Sequence, residues 1–312
     1  MTAVSLKQKK RRREDDFIRR SRGEKIFSVC NTIFMLLLLV FLLYPVLNVI
    51  SISVSNETQV MAANVTFYPI GYNPQAYTTI FKDHELWHSI GNTAFVAGVG
   101  CVMSLVALCI AAYPLAFAQF YGKKFYTMAI MITMWFQGGI VPMFLTMQSL
   151  GLYDTLWALI FNALISAYNV VIIRSYFVSI PISVVESARI DGANDFKILF
   201  RLVIPLSKPV LATVALWVIV GHWNDYMNPL ILVSSTGNKT LQLELKSLVL
   251  AAESSTSNLS TLSKSEAMKG VAALNTQIKN AVLVVSMVPM IAIYPFIQRF
   301  FVSGVMLGSV KG

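Results

Sequence analysis

The sequence predicts an all-α integral membrane protein, and three observations lead there. Hydrophobic residues make up 56% of the 312 and charged residues only 13%, where a soluble domain carries about 25% charged. Such a chain lacks the polar surface to face water on every side, and its mean hydropathy is +0.64. Six apolar stretches approach the ~20 residues that cross a hydrocarbon core. Finally, nineteen of the 25 Lys and Arg fall on one side of the spans so defined and six on the other. Basic residues accumulate in cytoplasmic segments, so the crowded side is the cytoplasm and both termini lie there.

The elements follow in order. Residues 1–25 hold ten of the basic residues and form a mixed-charge cytoplasmic tail, a topology anchor rather than a nucleic-acid or lipid arm. A net charge of +10 would suit nucleic acid, but its concentration beside apolar segments points to membrane topology instead. The first span, Ile26–Ile50, carries no charge and is too long for a cleaved signal peptide. The second lies within Ser89–Phe117, the third within Phe125–Met147 and the fourth over Thr155–Ile173. The fifth runs from Val210 to Val233 and the sixth from Asn280 to Gln298. Only helices satisfy the backbone in lipid at these lengths, so residues 26–303 form one helical bundle without internal duplication. Residues 51–87 and 234–277 are external loops, with Leu241–Ala252 a short surface helix in the second. Residues 179–209 are a cytoplasmic loop and 304–312 a cytoplasmic tail.

The most patterned polar stretch is Ser183–Pro209, SVVESARIDGANDFKILFRLVIPLSKP. Ser183 with Glu186 reads as a capping box, and Glu186 can also pair with Arg189. The helix they open ends at Gly192, a residue free to take the positive φ of a helix stop. Asn194 and Asp195 then cap a second helix, on which Phe196, Leu199, Phe200 and Val203 form an apolar stripe at i, i+3, i+4, i+7. Pro205 and Pro209 stop it. Two short helices about a glycine turn at a membrane surface make a shape for docking.

This stretch resembles the EAA loop of ABC importer permeases. Glu186-Ser187-Ala188, then Gly192, then Leu202-Val203-Ile204-Pro205 keep that motif's spacing, with Ser187 standing for the middle Ala. Trp223-Asn224-Asp225 with Pro229-Leu230, and a tail of Tyr294-Pro295-Phe296, Gly304-Val305 and Gly308–Gly312, resemble the carbohydrate branch. The resemblance covers Pro181 to the end and implies a six-span, type I importer permease fold. It also implies that Glu186, Ser187, Ala188, Asp191, Gly192, Ala193, Phe196 and Pro205 dock a cytoplasmic ATPase. In maltose-type permeases the tail reaches between the ATPase subunits, a role that would fall to Ser309, Val310, Lys311 and Gly312.

No residue pattern supports chemistry in this chain. Gly122-Lys123-Lys124 lacks the remainder of a phosphate-binding loop, and there is no HExxH, CxxC or nucleophile elbow. Cys30, Cys101 and Cys109 lie in apolar stretches without metal spacing and read as packing residues. His84 and His88 read as an interfacial pair rather than a zinc site. Gly138-Gly139 and Tyr113-Pro114 mark kinks or close helix contacts. Asp225 is the one acid within a span, toward its outer side, among His222, Trp223, Asn224 and Tyr226. Rings beside hydrogen-bonding groups suit a sugar, whereas a structural hydrogen bond at a Pro229 kink would serve packing alone. The residues leave both readings open.

The expected protein is therefore a carbohydrate permease subunit of the bacterial plasma membrane, without a catalytic centre, metal or cofactor of its own. Its expected partners are a second, unlike six-span permease, an ATPase dimer that binds ATP and Mg, and an extracellular solute-binding lipoprotein, with membrane lipid around it and no nucleic acid. Two alternatives stand beside this: a proton-coupled secondary transporter using Asp225 and His222, and a non-transporting membrane scaffold. Stimulation of a partner ATPase separates them from the importer.

Overall fold

The computed structural model describes residues 22–136, 138–248, 250, 274, 276–292 and 295. The first part of the basic tail, the end of the sixth span and Ser309–Gly312 lie outside them. Among the described residues there is no strand, only an isolated bridge between Ser55 and Tyr72. Two helices among the described residues are long and apolar enough to cross a membrane unbroken: α1 (Arg22–Val54) and α2 (His84–Phe117). α2 runs through Pro114 without a break, so Tyr113-Pro114 is not a bend that interrupts the span.

The third, fourth and fifth apolar segments are interrupted. The third divides into α3 (Lys123–Ile132) and α4 (Ile140–Ser149), separated at Gly139, whose φ of +87° is easy only for glycine. The fourth divides into α5 (Leu156–Asn162) and α6 (Ala167–Ser179), bent by 52°. Then come α7 (Ile182–Ile190), α8 (Asp195–Ile198), a π turn over Leu199–Val203 and the single turn α9 (Ile204–Leu206). The fifth comprises α10 (Lys208–Asn224) and α11 (Met227–Leu232). A helix over 241–248, α12, and α13 (Thr276–Ala292) complete the described chain.

α2 is the axis of the bundle, packed against α6 and α10. Leu108, Cys109, Ala112 and Phe117 of α2 bury against Val170, Ile173 and Phe177 of α6 and Val214 of α10. A second apolar cluster joins Leu86 and Trp223 to Leu241, Leu245, Ala281 and Val282. The Leu241–Ala252 patch thus starts as a helix but is not a surface one: Leu241 and Leu245 are core residues. There Glu244, 5% exposed, takes a 2.9 Å salt bridge from Lys239. α1 buries only Ser51 and Ser53, and its apolar side chains, Cys30 included, are open to the surroundings. Cys101 and Cys109 are buried, as packing residues should be.

Asp154 is a structural anchor that pattern reading passes over. At φ +59° it turns its carboxylate onto the backbone N–H groups of Ser234 and Ser235, both at 2.8 Å, and the Ser235 hydroxyl at 3.0 Å. Those N–H groups, Ser235 foremost, stabilise the carboxylate and hold its pKa below the usual carboxylate range. The turn before α5 is thereby tied to the end of α11, where Asp154 N–H also donates to Leu232 O at 2.8 Å.

α2 and α10 approach closely at one point. A Cβ on Gly100 would stand 2.8 Å from Nε2 of the buried His222 ring. Gly100→Ala should therefore cost about 1–3 kcal/mol of stability through overpacking. Thermal unfolding of Gly100→Ala, His222→Ala and the double variant checks this: the cost of the alanine must largely vanish once the ring is gone.

Candidate functional site

Two places merit the term site. The first is the loop from α7 to α9. α7 ends in a Schellman motif: Ala193 N–H donates to Ala188 O and Gly192 N–H to Arg189 O, each at 3.0 Å, with Gly192 at φ +78°. The glycine turn is where the spacing puts it. Asn194 caps α8, its carboxamide oxygen accepting Lys197 N–H at 2.8 Å. The capping box does not form. Pro181 is the N-cap of α7 and Ser183 lies inside the helix, its carbonyl accepting the Ser187 hydroxyl at 2.8 Å. Ser183 is the second residue of the helix, and a capping side chain must come from the residue that flanks it with extended backbone.

Nor does Arg189 pair with Glu186. Its guanidinium donates to Asp195 Oδ1 at 3.0 Å, and the Tyr113 hydroxyl of α2 donates to the same oxygen at 2.9 Å. Asp195 thus ties both limbs of the loop to α2. The Tyr113 hydroxyl and then the Arg189 guanidinium hold its carboxyl below its ordinary range.

The expected apolar stripe is also redrawn. Leu199 and Val203 are buried, but Phe196 is 67% exposed and Phe200 44% exposed; the buried face is Val185, Ile198, Leu199 and Val203. The π turn, whose bonds run five residues apart, brings Ile198 and Val203 onto one buried face; Phe196 precedes it and lies outward. It also explains why Pro205 does not end the helix. Proline clashes with the carbonyl four residues back in a regular α-helix, and the wide turn just before α9 loosens that register. The break comes at Ser207, and α10 leaves at 85°. Ala188 and Ala193 lean on the core, while Glu186, Ser187, Asp191 and Gly192 stay exposed.

The second place is a cavity of about 300 Å³ between α6 and α10, lined by Ala163, Asn169, Val218, Gly221, His222, Asp225 and Asn228. Asp225 sits in the gap between α10 and α11, so the fifth span breaks there and not at Pro229. It accepts Asn228 N–H at 3.2 Å and the Asn228 carboxamide at 2.8 Å. Asn162 in turn donates to Asn228 at 3.0 Å. Pro229, third in α11, occupies a first-turn position whose N–H needs no helical partner. Asp225 therefore both holds the break and lines the cavity. Trp223 belongs to the core instead, its indole N–H donating to Ser286 O of α13 at 3.3 Å. Asn224 turns back onto Val220 O at 3.0 Å, and Tyr226 is half-buried outside the lining. Asn169 and Asn228, which the sequence gives no reason to single out among other asparagines, complete the polar wall.

A bent, multi-pass helical bundle that borders an open polar cavity and carries an exposed loop seated in its core has the architecture of a membrane transport subunit. The model of one family, the binding-protein-dependent transport system inner membrane component, matches residues 19–307, and the chain belongs to that family. Protein LplC of Bacillus subtilis (strain 168) is 32% identical over 292 residues, 94% of this chain and 97% of that protein. The polygalacturonan/rhamnogalacturonan transport system permease protein YtcP of the same organism is 33% identical over 288 residues, 92% and 99% of the two chains. The crystal structure of a bacterial ABC transporter involved in the import of the acidic polysaccharide alginate superposes with a TM-score of 0.80 at 32% identity. It covers 90% of this chain and 99% of that one. The protein has the all-α type I ABC importer permease fold.

The Asp195 tie has a pH signature. Because its folded pKa lies below the unfolded value of about 3.9, its contribution is complete above that value and disappears as pH falls through the folded pKa. The pair is 41% and 62% exposed, so screening limits it to about 1 kcal/mol or less. Thermal unfolding of wild type and Asp195→Asn should differ at pH 6 and converge toward pH 3; a constant gap would refute the assignment.

Proposed function

We propose that this chain is one of two unlike permease subunits of an ABC importer for carbohydrate, coupled to a cytoplasmic ATPase through the loop Ile182–Leu206. The observation that carries the proposal is the division of that loop into a buried face and an exposed crest. Val185, Ile198, Leu199 and Val203 are locked in the core of the bundle. Glu186, Ser187, Asp191 and Gly192 stand free at its surface. A knob so seated transmits a push as a rigid body, which is what alternating access driven from outside the spans requires.

The orientation follows from the basic residues: the crest faces the cytoplasm, where ATP and Mg are held by the partner ATPase and not by this chain. The opposite end receives a solute-binding protein. Carbohydrate is supported by the relatives, whose names include rhamnogalacturonan and alginate transport. It is supported equally by the cavity, where Asn169, His222, Asp225 and Asn228 offer hydrogen-bond partners suited to hydroxyls. The cavity is half of a pathway whose other wall belongs to the second permease. Ser309–Gly312 would extend the contact with the ATPase.

Purification from the native membrane in mild detergent tests the assembly: an ATPase, a second permease and a sugar-binding protein should accompany the chain. Gly192→Asp should leave it in the membrane and release the ATPase, because φ +78° strains a side-chain-bearing residue and shifts the crest. Undiminished co-purification would defeat the docking role. Sugar uptake that persists in a strain lacking the ATPase, and is abolished by Asp225→Asn, would favour proton coupling instead.

Asn169→Leu should lower uptake about tenfold or more, the scale of one lost buried hydrogen bond, while ATPase co-purification stays normal. Transport at the wild-type rate would remove the cavity from the pathway.

A further inference from the structure

A second cleft, of about 380 Å³, lies where α3 begins beside α6, lined by Lys123, Lys124, Thr127, Met128, Met131 and Arg174. We propose that it seats an anionic phospholipid, with the phosphate among the three cations and an acyl chain along the two methionines. Three positive side chains converge here, and among the described residues none of them forms a salt bridge. Two are fixed in place. Lys123 Nζ donates to Ala116 O and Ala118 O at 3.0 and 3.1 Å, and Arg174 Nε donates to Leu115 O at 3.1 Å, so both are held at the end of α2. The terminal NH₂ groups of Arg174 and the exposed Lys124 remain available.

The lysines occupy the first turn of the ten-residue helix α3, where the macrodipole opposes a cation. A bound anion reverses that penalty, since it interacts favourably with the helix end and with the cations together. The apolar part of the cleft identifies the anion's source. Met131 lies eight residues beyond Lys123, about 12 Å along the helix at 1.5 Å per residue. A free phosphate has no use for that length of apolar wall, whereas a phospholipid matches both ends. Depth agrees: Tyr121, Phe125 (70% exposed) and Tyr126 (55% exposed), the exposed chain neighbours of the two lysines, are of the aromatic type enriched at headgroup level.

The test uses the transporter purified with its partners and placed in phosphatidylcholine nanodiscs. These contain a minor fraction of photoactivatable phosphatidylglycerol, and the labelled peptides are mapped by mass spectrometry. Labelling should concentrate on α3 and α6, fall about fivefold in Lys124→Gln, and fall further in Lys124→Gln with Arg174→Gln. Among the described residues the Lys124 side chain makes no hydrogen bond, and Lys197→Gln, outside the cleft's lining, should leave the labelling unchanged. Equal labelling by a phosphatidylcholine probe, insensitive to these changes, would show only the surrounding lipid and overturn the proposal. Displacement by millimolar inorganic phosphate at constant ionic strength would also overturn it, and would assign the cleft to a soluble anion.

Discussion

The apolar seat of the loop between α6 and α10 governs how the molecule can work. Val185, Ile198, Leu199 and Val203 share one core with Leu108 and Phe117 of α2 and with Ile173 and Phe177 of α6. A loop held only by its ends would absorb a push by bending. One whose four inward side chains are each 3% exposed or less moves only if the spans beneath it move. Asp195 adds direction to that seat by fastening the two limbs of the loop to Tyr113. The stability it adds is small; its geometric effect is to keep the crest in register with α2.

The same economy governs the helix breaks. Backbone groups freed inside a membrane must find partners in the protein or border a cavity. Asp225 meets that demand by taking the N–H of Asn228, and the cavity opens beside it. The π turn before Pro205 plays a like part in the loop, accommodating a residue that cannot donate while leaving the helix intact as far as Leu206. Polar cavity and rigid crest are thus products of interrupted helices, and both adjoin α10: one at its end, across Asp225, the other at its start, across Ser207.

Much of this architecture is legible in the residues alone. Apolar stretches of span length announce a helical membrane protein, because bilayer thickness converts directly into residue count. Gly192 is readable because a positive φ leaves few other choices, and Asn194 because a cap is local chemistry. The motif spacing around Glu186 places the two-helix loop and its glycine turn without any tertiary knowledge. Failures occur where a local rule has competition. Ser183 and Glu186 match a capping box, yet Pro181 already sets the helix start. Arg189 lies one turn from Glu186 and instead meets Asp195 across the glycine turn. Trp223 shares a tripeptide with Asp225 but faces α13.

By itself, then, the sequence determined the class of fold, the number of apolar segments and the place of the glycine turn in the loop between α6 and α10. Each depends on composition or on contacts within a few residues. Only the tertiary structure decided which face of that loop is buried, where the fifth span breaks, and that Asn169, His222, Asp225 and Asn228 share a cavity. Those outcomes rest on the five-residue spacing of the π turn and on contacts between helices distant in the chain. No periodicity along the chain encodes them, because the partners meet only once α2, α6 and α10 have packed.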